Sequence, residues 1–119
     1  MTTNDLSIQF KNKKFEDREA ESKRILTKYP DRIPIILLRY SKNDMPLDKY
    51  KFLAPGDTTI VTLLYHIRKS IKLRPDQAIY LYINEELYNT SITMKEIYEK
   101  EKNTDGFIYI TYSNENTFG

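Results

Sequence analysis

The feature that most constrains this sequence is one amphipathic stripe in its middle. After Thr59, apolar residues recur at positions i, i+3, i+4, i+7 and i+11, the spacing of one side of an α-helix. They are Ile60, Leu63, Leu64, Ile67 and Ile71. Thr59 is a suitable N-cap, because its hydroxyl can accept a hydrogen bond from the first turn. The pattern predicts a helix that needs a sheet or another helix to cover its apolar side.

Four other segments have strand composition. Residues 32–39 are rich in Ile and Leu, and Pro34 places part of this strand at a sheet edge or at the end of a ladder. Residues 49–54 alternate as a second strand until the turn that follows, so these two strands are expected to form a hairpin. Residues 78–83 and 107–112 are predicted to be two further strands.

Two more helices complete the predicted order. Residues 11–29 are highly charged with a narrow apolar stripe, and Pro30 ends this surface helix. Thr93 and Glu96 have the spacing of a capping box at the start of a short helix. Helix, hairpin, helix, strand, short helix and strand is the element order of an α+β protein of the β-grasp type, with a four-stranded mixed sheet around one central helix.

The charge distribution and the composition limit the kinds of partner that this protein can bind. The 119 residues suffice for one domain. Residues 1–74 carry 16 Lys or Arg against 9 Asp or Glu, a net +7, while residues 75–119 carry 3 against 8, a net −5. The basic part is suited to steering acidic partners. A pI of about 8.7 without a reading motif argues against nucleic acid, although stacking of single-stranded RNA on sheet tyrosines stays open as a rival.

No catalytic constellation is visible. The sequence has no cysteine and one histidine, His66, which lies on the flank of the predicted helix, where a structural role outweighs catalysis. The carboxylate pairs at 85–86 and at 99 and 101 fall in a turn and at a polar helix end, so a solvated surface explains them better than acid–base chemistry. We expect neither an enzyme nor a metal or cofactor site. No signal peptide or membrane-spanning run is present in the sequence.

Five blocks of sequence carry a family resemblance. In order and spacing they resemble the autophagy ubiquitin-like modifiers, which include the GABA-receptor-associated protein and the microtubule-associated protein light-chain family. The likeness runs from about Phe15 to Gly119, and Thr117-Phe118-Gly119 matches the conjugation terminus of that family. The blocks are residues 28–36 (KYPDRIPII), 51–55 (KFLAP), 67–69 (IRK), 90–94 (TSITM) and 105–109 (DGFIY).

The resemblance implies an architecture and a chemistry. Residues 1–29 would form an extension of two short helices, the first within residues 4–10. Residues 30–112 would be the ubiquitin-like domain, and residues 113–119 a flexible conjugation tail. Gly119 would be joined to phosphatidylethanolamine by activating and conjugating enzymes and released by a delipidating cysteine protease, which recognises Thr117 and Phe118. The protein would be cytoplasmic, and at the autophagosomal membrane once lipidated.

The resemblance also implies a groove for aromatic-x-x-aliphatic motifs of cargo receptors. The first pocket, for the aromatic side chain, would comprise Glu21, Ile25, Pro34, Lys51, Leu53 and Phe107. The second pocket, for the aliphatic side chain, would comprise Phe52, Ala54, Pro55, Thr58, Leu63, His66 and Ile67. Arg32 and Lys49 would attract acidic residues beside the motif.

Other positions complete the resemblance or depart from it. Tyr80 and Tyr82 match exposed aromatics that meet the processing enzymes in the family. Thr58 and His66 replace common leucines, so the second pocket is expected to be more polar. Two further readings stay open, a non-conjugated adaptor that uses only the groove and a modifier of protein lysines.

Overall fold

The computed structural model describes residues 6–41, 44–47, 49–71 and 73–114. Within them the chain forms four helices and five strands in a mixed order. The elements are α1 (Leu6–Lys11), α2 (Phe15–Lys28), β1 (Arg32–Arg39), β2 (Lys51–Pro55), α3 (Ile60–Ile71), β3 (Tyr80–Ile83), β4 (Glu86–Leu87), α4 (Met94–Glu101) and β5 (Ile108–Ser113).

The strands form one mixed sheet in the order β2-β1-β5-β3-β4. β1 pairs antiparallel with β2 and parallel with β5, and β3 pairs antiparallel with both β5 and β4. A hairpin, a crossover helix and a central parallel pair make up the β-grasp arrangement that the element order predicts.

The sheet has five strands rather than the expected four. β4 is only two residues long, too short to produce an alternating pattern. The turn before it also lacks the usual glycine signal, because Asn84 and Glu85 themselves take positive φ values of 51° and 67°.

The apolar side of α3 forms the main core against the sheet. Ile60, Leu63, Ile67 and Ile71 are all buried there, and Leu64 packs against them half-buried. Thr59 caps this helix as predicted, since its hydroxyl accepts from the Thr62 amide at 3.3 Å. The stripe seen in the sequence therefore identifies the centre of the fold.

Pro34 lies at the end of a ladder, as predicted. The Leu37 amide points towards β2, since it donates at 2.8 Å to the carbonyl of Tyr50, the residue before that strand. Amides of an antiparallel strand alternate in direction, so the nitrogen of Pro34 points towards β5. The β5 ladder begins only at Ile35, opposite Ile108, so no ladder bond is lost at the proline.

The other face of the sheet is covered by α1 and α2. Phe10, Ile36 and Phe107 are buried together there, with Ile25 packed against them. The residue pattern predicted a helix over residues 11–29, and α2 ends at Lys28, just before Pro30. The family resemblance, not the pattern, implied the first helix, α1.

A charged cluster ties α2 to β5. The Asp105 carboxylate is fully buried; it accepts from the Arg18 guanidinium at 2.7 Å and from the Tyr109 hydroxyl at 2.5 Å. The Phe107 amide donates to the same carboxylate at 2.9 Å. Burial, and then the hydrogen bond to Asp105, raise the pKa of Tyr109 to about 12. Each of these groups makes a hydrogen bond or ion pair with another member of the cluster, so the cluster is a structural clamp between α2 and β5.

α4 begins with the capping box expected from the sequence. The Thr93 side chain accepts from the Glu96 amide, and the Glu96 side chain accepts from the Thr93 amide.

No helix among the described residues is long and apolar enough to cross a bilayer.

The predicted tail, residues 113–119, begins later than expected. Ser113 is the buried last residue of β5. Asn114 is held by its amide, which donates to Asp44 at 2.8 Å, and by its side chain, which accepts from the Met45 amide at 2.8 Å. The sequence pattern missed this anchor because its partners are about 70 residues away. Residues 115–119 lie outside the described residues.

Candidate functional site

The candidate site is built around β2, one edge of the sheet. Phe52 and Ala54 face Ile35 and Ile33 in the ladder with β1. By the alternation of an antiparallel pair, the amide and carbonyl groups of Lys51 and Leu53 point outward, away from β1. An extended peptide could therefore continue the sheet there by main-chain hydrogen bonds.

The residues predicted for the first pocket meet on the α2 side of β2. Lys51 forms an ion pair with Glu21 of α2 at 2.7 Å, and its ammonium lies 4.7 Å from the centre of the Phe10 ring. Phe107 and Pro34 are buried beneath them. Ile25 and Leu53 are half-buried, so the set has an apolar floor and a charged rim.

The residues predicted for the second pocket surround a cavity on the α3 side. Its volume is about 420 Å³. Ile67 does not line it, because that side chain is wholly buried in the core behind. Two residues not predicted from the sequence, Lys69 and Ser70, line it instead, and Leu53 contributes as well. The complete lining is Lys49, Phe52, Leu53, Ala54, Pro55, Thr58, Leu63, His66, Lys69 and Ser70.

The second pocket is basic at its rim. The Lys49 ammonium lies 4.9 Å from the centre of the Phe52 ring, and the Lys69 ammonium 4.5 Å from that of Tyr65. His66 is exposed beside them, and no residue of the lining is acidic. Arg32 is exposed near the far end of β2, opposite Pro55. The predicted attraction for acidic groups thus has a physical source on this surface.

The two tyrosines assigned to a processing face differ in exposure. Tyr80 is half-buried, whereas Tyr82 is only 2% exposed, so the expectation that Tyr82 is exposed is wrong. Strand alternation alone places Tyr82 on the side opposite Leu81 and Ile83, and the sequence could not show that this side is covered too.

The described residues contain no group of three or more His, Cys, Asp or Glu side chains able to hold a metal ion. The Glu101 carboxylate accepts hydrogen bonds from the Asn84 side-chain amide and from the Tyr88 hydroxyl. Thr117, Phe118 and Gly119 lie outside the described residues.

This arrangement defines a class: a ubiquitin-like β-grasp protein with helices added at its N-terminus and a groove along an edge strand. Residues 17–119 match the family model described as autophagy protein Atg8, ubiquitin like. The chain belongs to this Atg8 family of ubiquitin-like modifiers, as the resemblance predicted.

Individual relatives agree with this assignment. Autophagy-related protein 8 of Schizosaccharomyces pombe is 52% identical over 113 residues, which cover 93% of each chain. The protein of the same name from Mycosarcoma maydis is 50% identical over 112 residues, covering 92% of this chain and 95% of the relative.

Two solved structures have the same fold. The crystal structure of Trypanosoma brucei ATG8 matches with a TM-score of 0.83 and 37% identity, covering 91% of this chain and 94% of that one. Plasmodium falciparum Atg8, in complex with a P. falciparum Atg3 peptide, matches with a TM-score of 0.80 and 31% identity, covering 88% and 94%.

Proposed function

We propose that this modifier is conjugated through Gly119 to phosphatidylethanolamine and, once on the membrane, recruits proteins that carry an aromatic-x-x-aliphatic motif. The observation that carries the proposal is the family match over residues 17–119, which includes Gly119. The protein is the substrate of this chemistry rather than its catalyst, and it acts between the cytoplasm and the autophagosomal membrane.

The conjugation step suits a glycine. Its carboxyl group would be activated as an adenylate and passed through thioesters on the activating and conjugating enzymes to the lipid amine. With no Cβ, the residue hinders neither a narrow enzyme channel nor the attacking amine. Two acyl chains then provide a stable anchor, where one would bind only marginally. A cysteine protease would reverse the attachment, recognising Thr117 and Phe118, with Tyr80 on a second contact face.

The groove geometry would suit the spacing of an aromatic-x-x-aliphatic motif. In an extended strand, residues i and i+3 point to opposite faces. A peptide added to β2 would therefore send its aromatic side chain towards the first pocket, on the α2 side. Its aliphatic side chain would enter the second pocket, on the α3 side. Support for peptide binding also comes from the P. falciparum relative, which was solved with an Atg3 peptide.

Reconstituted lipidation tests the conjugation proposal. The wild-type protein, the two enzymes, ATP and vesicles containing phosphatidylethanolamine should give a lipidated product, and Gly119→Ala should give none. A wild type that forms no thioester would leave the non-conjugated adaptor instead. Mass spectrometry of the cellular conjugate distinguishes the phospholipid adduct from a branched peptide on a protein lysine.

Calorimetry with an acidic aromatic-x-x-aliphatic peptide tests the groove. Lys51→Ala combined with Leu53→Ala should weaken binding severalfold or more, since both residues belong to the edge strand β2. Lys100→Ala on α4 is the matched control, an exposed lysine that lies over the Tyr88 ring and outside the second-pocket lining, and should leave affinity unchanged. Equal affinity of wild type and the β2 double variant would refute the site assignment. Titration with single-stranded RNA, expected to show no binding, addresses the remaining rival.

A further inference from the structure

The cavity of the second pocket has two ends. Pro55 and Thr58 lie together at one of them, since the Thr58 amide donates to the Pro55 carbonyl at 3.0 Å. From there the chain runs back six residues to Lys49 in one direction, and on through α3 to Lys69 in the other. Both lysines line the same cavity as Pro55 and Thr58. The strand and the helix therefore lie side by side, with the two lysines at the far end.

The two ends differ in chemistry. Ala54 and Leu63 line the cavity beside Pro55, and both are buried; these three residues are called the apolar end below. Lys49 and Lys69 are called the lysine end. An aliphatic side chain is suited to the apolar end, whereas an anionic group is suited to the lysine end.

The charge of the lysine end is not offset within the cavity. No Asp or Glu lines it, and α3 contains none. The ion pairs formed among the described residues involve neither Lys49 nor Lys69. Each ammonium instead lies over an aromatic ring, Phe52 for Lys49 and Tyr65 for Lys69. A neutral ring attracts a cation without cancelling its net charge.

Two aspartates are close to these residues in the sequence. Asp57 precedes Thr58, but it lines a different cavity, beside α4. Asp48 precedes Lys49 and lies outside the described residues. Even if the charge of Asp48 is counted in full, the two lysines leave the lysine end with a net positive charge.

The direction of a bound peptide follows from the two pockets. The first pocket is built around Lys51 and Leu53, which precede Pro55 on β2. If the aromatic side chain, motif position i, enters there and the aliphatic one, position i+3, occupies the apolar end, the peptide runs parallel to β2. Side chains alternate along a strand, so position i+1 also faces α3, about 7 Å from i+3 towards the lysine end. Position i+2 faces α2.

We propose that the lysine end binds an anionic side chain at motif position i+1, an inference that rests on the groove proposed above. A carboxylate or a phosphoryl group has the required chemistry. Phosphoserine carries about −1.5 to −2 charges and three strong acceptor oxygens. Phosphorylation of a partner's serine at i+1 would therefore strengthen its capture, and a residue inside the motif would select among partners.

Four peptides with one aromatic-x-x-aliphatic core test the inference. The reference has serine at i+1 and at i+2, and the others have glutamate at i+1, phosphoserine at i+1 or phosphoserine at i+2. Calorimetry with the wild type should show a gain over the reference of about threefold to tenfold for phosphoserine at i+1, with glutamate in between. Salt should reduce this gain. Phosphoserine at i+2 should gain less, because Glu21 pairs with Lys51 on that side.

Lys69→Ala tests the lysine end itself. The ratio of the affinities for the peptide phosphorylated at i+1 and for the reference should fall at least about twofold, and this coupling does not depend on the overall affinity of the variant. Lys100→Ala is the matched control. It removes the same charge from α4, outside the lining of the cavity, and should keep the wild-type ratio.

Equal affinity of the wild type for the reference and for the peptide phosphorylated at i+1 would overturn this inference while leaving the groove assignment intact. Equal gains at i+1 and i+2, or the same ratio in the wild type and Lys69→Ala, would overturn it too. Binding of none of the four peptides would overturn the groove assignment and this inference together.

Discussion

Replacing Gly106 with alanine should destabilise the protein strongly, because two independent costs meet at that residue. Its φ of +94° is unfavourable for any residue with a Cβ, at about 1–2 kcal/mol. A Cβ there would also overlap the Ser22 hydroxyl and lie 3.0 Å from the Ser22 Cβ. Moving Ser22 would disturb its 2.5 Å hydrogen bond to the Asp105 carbonyl, worth about 1 kcal/mol. The expected loss in unfolding free energy is therefore about 2–4 kcal/mol.

Urea unfolding measures this loss, with Gly56→Ala as the matched control. A Cβ on Gly56 would lie 3.3 Å from the Cβ of Lys95, an exposed residue, and no positive φ adds to the cost. That variant should stay within about 1 kcal/mol of wild type.

A double variant isolates the clash with Ser22. Ser22→Ala removes the overlapping hydroxyl, so Gly106→Ala should cost less in that background than in the wild type. Additive losses, or a Gly106→Ala cost no larger than that of Gly56→Ala, would refute the reasoning.

Three further perturbations test the clamp and the α4 cap. Arg18→Met should lower the unfolding free energy by about 2–3 kcal/mol, since it leaves the buried Asp105 carboxylate with only neutral donors; a loss below about 1 kcal/mol in urea would contradict this. The pKa of Tyr109, raised from 10.0 to about 12, predicts stabilisation that is complete below pH 10 and lost as the pH rises through 12. Tyr109→Phe should make this part of the stability profile less steep, since Tyr88, whose pKa is also raised to about 12, still titrates there. An unchanged profile would be the contrary result. Thr93→Ala should cost about 1 kcal/mol in thermal or urea unfolding by removing the capping box with Glu96, whereas no change would argue against that cap.

Much of the candidate site follows from local patterns. The edge strand, its lysines and the cap of α3 are each visible in short stretches of sequence. Side-chain alternation in β2 also predicts correctly that the side chains of Lys51 and Phe52 lie on opposite faces of the sheet. Ile67, however, which the family resemblance places in the second pocket, is buried behind the cavity, because a matched motif does not give the depth of a side chain. The resemblance also gave no pocket role to Lys69 and Ser70, which line the cavity.

By itself, the sequence determined the order of the longer elements, the helix at the centre of the fold and the family resemblance, because periodicity, proline and capping residues act over a few positions. The tertiary structure alone decided which distant groups meet. Asp105 joins Arg18 across 87 residues, Asn114 is held by Asp44 and Met45, and Tyr82 is buried rather than exposed. No local pattern encodes these contacts, since they depend on how strands far apart in the chain pair and on which helix covers each face.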